Sequence, residues 1–257
     1  MVIEHIEKSW AAYRKNFWPI LTAMILQFIL AGIPFLIGVL PWIFIFLSSK
    51  GVDLSTLFLS NLGVLSFSVI MFIIGFLISI ALTGGFVKML YEALRGKTKY
   101  GTMLKTAKEK FWTIIGANSL FILIFFVIFI AVFSPLFLLA GFPALSVGGS
   151  SLAPLITIFL IVVLGSILLV LISIFFVFIN QAIVIDNLKA VDSIGKSFEV
   201  SKKSYLTILG LMIIFILINS ALTTIFSLIG SVLEAFVTTP LLLLSYTSVY
   251  LEKRRKK

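Results

Sequence analysis

Long runs of Phe, Ile, Leu and Val, separated by short polar segments that hold nearly all the cations, constrain this chain more than any other feature. Nineteen of its twenty Lys and Arg residues fall in the segments 1–16, 86–110, 184–204 and 251–257, and the exception is Lys50. A helix needs about 20 mostly apolar residues to cross a bilayer. Six such runs can be read, at about 17–40 (continuing to 47), 57–83, 111–139, 155–183, 205–228 and 231–250. With six spans, the four basic segments share one side. That asymmetry is what orients a membrane protein with its basic side in the cytoplasm. The sequence therefore predicts an all-α, polytopic integral membrane helical bundle in the cell membrane, with both termini cytoplasmic and residues 1–257 forming one domain.

Composition agrees. Hydrophobic residues make up 61% and charged residues 12% of the 257, and the mean hydropathy is +1.22. A soluble domain carries about one quarter charged residues. A soluble fold of this composition would leave apolar surface in water, so the bilayer is its solvent. The net charge of +10 flanks apolar spans and is not a nucleic-acid footprint. Glu4, Glu7 and Lys8 before the first run, and the length of that run, argue for a span rather than a cleaved leader. The chain has no cysteine and one histidine, His5, which excludes disulfides, thiol catalysis and His- or Cys-clustered metal sites. No cofactor is expected.

Three segments resemble one another: Ser9 to Leu21, Met103 to Ile115 and Ser197 to Leu209. Their aromatic residues Phe17, Phe111 and Tyr205 stand 94 positions apart in each step, as do Pro41 and Pro135. The expectation is three helical hairpin repeats, at about 1–96, 97–190 and 191–257. Each is led in by an amphipathic helix, at 2–16, 99–110 and 190–204. The first lead-in helix shows an apolar stripe of Ile3, Ile6, Trp10, Tyr13 and Phe17. The corresponding third set is Val191, Ile194, Phe198, Ser201 and Tyr205. The second is Lys97, Tyr100, Leu104, Ala107 and Phe111, so the match fails at Lys97 and Ser201. Such a stripe serves equally for packing on the bundle or for lying at the acyl boundary with lysines toward anionic head groups. Lys105, Lys108, Lys110, Lys202 and Lys203 are the candidate lipid-surface residues, and anionic membrane lipids the expected partners.

Polar groups inside spans are the usual place to look for function. Here they are Gln27, Asn118, Asn180, Gln181 and Asn219, together with Glu234 near the outer end. They either line a cavity or each make one interhelical hydrogen bond, and bonds of that kind average about 0.6 kcal/mol. The second reading is favoured, because no acidic residue is expected to join the amides and uncharged amides commonly bridge membrane helices. Glu234 is expected at the outer interface or capping the last helix. Asp186 and Asp192 are expected at caps or turns beside the following helix. Gly84-Gly85 is no phosphate loop, since no strand precedes it and no Gly-Lys-Ser/Thr follows. His-Glu-x-x-His, Gly-x-Ser-x-Gly and paired intramembrane aspartates are also missing, so an enzyme is not expected.

The stretch from Ala182 through Asp186, Asp192 and Ser197 to Tyr205, with Gly84-Gly85-Phe86 to Lys97 and the ending Pro240 to Arg254, resembles the membrane domain of some glycerophosphoryl diester phosphodiesterases and of stand-alone prokaryotic proteins. The resemblance implies a multi-helix membrane domain of unknown function. The phosphodiesterase activity belongs to a separate barrel for which this chain has neither room nor ligands. Two functions stay open: an accessory or scaffold protein acting at the cytoplasmic lipid surface, and a small transporter or channel.

Overall fold

The computed structural model describes residues 2–48, 60–146 and 153–254. Among these the chain is helical throughout, without strands, and six helices are long and apolar enough to cross a membrane. Lys50, Gly51 and Asp53, residues 147–152 and the tail residues Arg255, Lys256 and Lys257 lie outside the described residues.

The chain begins with α1 (Val2–Lys15) and α2 (Phe17–Ser48), joined at Asn16. The ladder continues across the joint: Asn16 N–H bonds to the carbonyls of Ala12 and Tyr13, and Ile20 N–H bonds to that of Asn16. The first span includes both Pro34 and Pro41, each forfeiting one backbone hydrogen bond. The second span, α3 (Leu62–Arg95), runs unbroken through Gly84-Gly85. Expected to end at 83, it instead carries its helix a further three turns, and the two glycines mark close packing rather than a terminus. α4 (Tyr100–Glu109) and α5 (Phe111–Ser146) meet at Lys110, which has φ −107° and ψ 11°.

The fourth span is interrupted. α6 (Ala153–Ser173) passes through a 3-10 turn, Ile174–Phe176, into α7 (Ile179–Ile185). Next, α8 (Ala190–Phe226) bends at Ser204, with φ −127° and ψ 16°. The breaks at Asn16, Lys110 and Ser204 thus fall 94 residues apart. The last span joins α9 (Leu228–Leu233) to α10 (Thr239–Lys253) through a π turn, Glu234–Thr238. The final turn is at Ser227, which has a positive φ of 48°, and not near Gly230. Gly230 is instead a contact point, since a Cβ there would lie 2.2 Å from the Leu222 carbonyl oxygen.

The core sits at the basic end. Ile20, Ala23, Phe86, Met89, Leu90, Phe178, Ile208, Leu211, Leu244 and Tyr250 are buried together, all in the span halves nearest the basic segments. Lead-in residues Ala12, Tyr13, Met103 and Val200 join them. Toward the far end burial is mostly between the two helices of one hairpin. Gly75 lies against Phe35, Gly165 against Phe133 and Gly230 against Leu222. Lipid tails are as apolar as Leu, so small residues and close van der Waals contact hold such pairs together.

Polar contacts tie the basic end across hairpins. The Tyr250 hydroxyl donates to Asp186 at 2.5 Å, and the Arg254 guanidinium pairs with the same carboxylate. Asp186 therefore ends α7 and clamps the last helix; it does not cap α8. Asp192 does not cap it either. Lys189 is the cap position, and Asp192 sits in the first turn, where the helix dipole favours negative charge. The turn between α7 and α8 uses Asn187 at φ 58°, a conformation that asparagine tolerates.

Candidate functional site

The membrane-depth amides do not gather in one cavity. Four of the five pair within their own hairpin. Gln27 Nε2 donates to Thr83 Oγ1 at 3.0 Å, joining α2 to α3. Asn118 Nδ2 donates to Asn180 Oδ1 at 3.2 Å, joining α5 to α7. Asn219 Nδ2 donates to Glu234 Oε1 at 2.9 Å, and its Oδ1 accepts from Thr238 Oγ1 at 2.5 Å, joining α8 to the π turn. An acidic residue does join one of the amides, contrary to the expectation. Glu234 lies inside the π turn instead of capping the last helix. The wide turn lets its carboxylate and the Thr238 hydroxyl reach Asn219 together. Gln181 is buried, and its Oε1, like the Ser201 hydroxyl, lacks a hydrogen-bond partner among the described residues.

At the basic end α1 docks by a polar face. His5, Ser9, Ala12 and Tyr13 are its buried residues. His5 Nδ1 lies 2.9 Å from the Ser248 hydroxyl, and Nε2 lies 3.3 Å from the carboxylate oxygen Glu252 Oε2, which can only accept. This arrangement suits a neutral ring carrying its proton on Nε2. Burial pushes the His5 pKa below its ordinary value, against the opposing pull of Glu252. Ser245 donates to Ser9 at 3.1 Å. The Tyr13 hydroxyl donates to the Phe236 carbonyl at 2.9 Å, which lies in the π turn, where i→i+5 pairing replaces the regular ladder. Asn16 closes the docking: Nδ2 donates to Gly96 O at 2.9 Å and Oδ1 accepts from Thr98 N–H at 3.1 Å.

The expected apolar stripes are therefore only partly packed. Ile3, Trp10, Tyr100, Val191 and Phe198 are exposed, whereas Ser9, Ser193, Ser197 and Ser201 are buried. The sequence reading missed this serine seam. Small hydroxyl residues recurring every four positions were its signal, because they let helices approach closely and bond to backbone. Ser197 accepts from Phe178 N–H and donates to Phe175 O, bridging the 3-10 interruption. Just beyond the three breaks, Trp18, Trp112 and Leu206 are 73%, 81% and 79% exposed.

The candidate lipid-surface lysines are not equivalent. Lys105 lies 3.9 Å from Glu109, and Lys203 2.9 Å from Glu199. Glu199 also meets Lys196 at 2.9 Å, and the two ammonium groups, Lys203 first, hold its pKa down to about 2. Lys110 bonds to Asn187 across the hairpin. Lys108 and Lys202 are exposed and form no ion pair among the described residues.

Three cavities lie toward this end or along the first span. One of about 690 Å³ is lined by His5, Lys8, Lys15, Arg95, Ser248 and Glu252, among others, a mixed-charge set. One of about 600 Å³ sits at the bend between α1 and α2, under Trp10, Arg14, Lys15, Phe17, Trp18 and Val237. The third, about 740 Å³, runs between α2, α3 and the last span. Among the described residues no cluster of His, Asp or Glu could hold a metal ion.

These features define a class: an all-α, multi-pass membrane bundle whose polar chemistry is concentrated at one basic end. More narrowly, the chain belongs to the family described as a domain of unknown function, DUF7847, which matches residues 43–251. No curated protein and no solved structure matches it. The family description carries no activity and supplies no link to glycerophosphoryl diester phosphodiesterases.

Proposed function

We propose that the protein is a membrane-integral accessory or scaffold protein, without catalysis of its own, that engages anionic lipid at the cytoplasmic surface through three lead-in helices. One observation carries the reading. Apolar and aromatic side chains on those helices and just past their breaks (Ile3, Trp10, Trp18, Tyr100, Trp112, Val191, Phe198 and Leu206) are exposed beside solvent-facing lysines. A stripe used for packing would be covered. An exposed one, with Trp and Tyr among its members, suits the head-group level of a bilayer, where amphipathic rings collect. The 94-residue recurrence of the breaks supports three repeats of one lipid-facing unit.

Each Lys near an anionic surface contributes about 1 kcal/mol, less at high salt. Replacing Lys105, Lys108, Lys202 and Lys203 together with Gln should lower the anionic lipid that co-purifies while leaving helicity intact. Unchanged lipid in a folded variant would reduce these lysines to orientation signals.

A transporter reading draws on the interruptions at Ile174–Phe176 and Glu234–Thr238, because broken spans often frame solute sites. Flux through protein-containing liposomes, tested with a broad ion and metabolite panel, would favour it over the lipid-surface reading.

A further inference from the structure

Two of the cavities share a seam. The smaller one at the α1–α2 bend is cationic and aromatic. Arg14 lies over the Trp10 ring at 5.9 Å, Trp10 stacks on Tyr13, and Phe17 meets Trp18 edge to face. Arg14 and Lys15 are exposed and form no ion pair among the described residues. The larger one is nearly all apolar, with Met24, Phe28 and Phe35 on one wall and Leu228, Val232 and Leu243 on the other. Gln27, Ser79, Thr83 and Ser231 are polar points along it. α2 and the 228–243 stretch wall both cavities, with Val237 in the first and Phe236 in the second. Phe17 and Met24 fall on one face of α2, two turns and about 10 Å apart. From Met24 to Phe35 the groove extends about 16 Å along the helix. That is close to half the hydrocarbon core of a bilayer, which totals about 30 Å.

A cationic pocket at the α1–α2 bend, lined by exposed Trp18, and an apolar groove one leaflet deep that begins about two turns further along the same helix together have the polarity profile of a single phospholipid. We infer that this seam between the first span and the last binds one phospholipid with a net anionic head group. Arg14 and Lys15 take the phosphate, the Trp10 and Trp18 rings flank the head group, and an acyl chain lies along the groove past Gln27 to Phe35. The site rests on the lipid-surface reading above but is distinct from the lysines of the second and third lead-in helices. A free phosphate would satisfy the cations but leave the groove unused, so the lipid is the occupant that both cavities require.

The test is native mass spectrometry of delipidated protein in detergent, titrated with dioleoylphosphatidylglycerol. The wild type should take up one tightly held lipid. Arg14→Gln with Lys15→Gln should weaken that first binding step about tenfold or more. Gly32→Phe should abolish it by filling the groove. Gly32 lines the cavity and a Cβ there meets nothing within 4 Å, so the ring enters empty space without displacing backbone. Gly63→Phe, equally unobstructed but not among the groove's lining residues, should bind as the wild type does. The Lys105/Lys108/Lys202/Lys203→Gln variant should keep the one-lipid adduct even where it loses loosely held lipid, which separates failure of this site from failure of the general reading. Wild-type binding by folded Gly32→Phe would overturn the proposal. So would equal binding of dioleoylglycerol, which has the chains without the phosphate, or of inorganic phosphate alone.

Discussion

Asn16 shows how much one side chain does at the basic end. It is buried, replaces a helical position between α1 and α2, and bonds to Ala12, Gly96 and Thr98. Asn16→Ala leaves Gly96 O and Thr98 N–H without that partner, and an unsatisfied buried group costs about 1–3 kcal/mol. Its thermal midpoint in detergent should fall by several degrees, and α1 should exchange amide hydrogens faster than α2. His5 sets a pH dependence at the same junction. It faces Ser248 and Glu252, with Glu4, Lys8 and Lys253 near enough to act on its charge. Burial holds its folded pKa below the ordinary 6.5. Between those two values the unfolded chain binds more protons than the folded one, so stability rises with pH across that window. Docking of α1 is therefore complete above about pH 6.5 and weakens on acidification. Thermal midpoints across pH 5 to 8 should show this slope in the wild type and lose it in His5→Gln, which cannot titrate. A parallel slope in the variant would assign it to other groups.

Among the elements, packing decided what periodicity could not. The span count followed from hydrophobic length alone, because a bilayer imposes it. Separate helices stand at Val2–Lys15 and Tyr100–Glu109, and the backbone departures at Asn16, Lys110 and Ser204 each fall one residue before an aligned aromatic. Which face of those helices turns inward was not legible. The stripe with Ile3 and Trp10 suited packing and lipid contact equally, and it is His5 and Ser9 that are buried, because partners on α10 offer Ser245, Ser248 and Glu252 for hydrogen bonds. Gly84-Gly85 read as a boundary because helix propensity disfavours paired glycines. Tertiary contact overrides propensity there: a Cβ on Gly85 would lie 2.2 Å from the Met103 carbonyl oxygen, so α3 and α4 touch backbone to backbone. Gly85→Ala must push α4 away and should destabilise by about 1–3 kcal/mol, as overpacking does. Gly101→Ala, on α4 with open space around its Cβ, should be neutral or slightly stabilising. Comparing the two in one thermal-shift experiment tests whether contact, rather than loss of glycine itself, carries the effect.

At the scale of the whole molecule, the candidate site was the least legible part, because it is assembled from both ends of the chain. Arg14 and Lys15 are contiguous in sequence, but the wall opposite them comes from 228–243, and no local pattern announces that pairing. The fold brings the ends together because α1 runs along α10, and because Asp186 holds Tyr250 and Arg254 from the last helix. One orientation follows if the basic end faces the cytoplasm. The turns at 96–99 and 186–189, both flanked by lysines and bonded to neighbouring elements, then lie inside the cell, and the uncharged segment around Ser150 lies outside. The chain has no cysteine, so single cysteines report without background. Lys99→Cys and Lys189→Cys sit at exposed helix-cap positions and should resist an impermeant thiol reagent in intact cells, then label after permeabilisation. Ser150→Cys should label without permeabilisation. Labelling of positions 99 and 189 in intact cells, with Ser150→Cys protected, would invert the orientation. The proposed lipid-binding face and the proposed phospholipid seam would then belong to the outer leaflet.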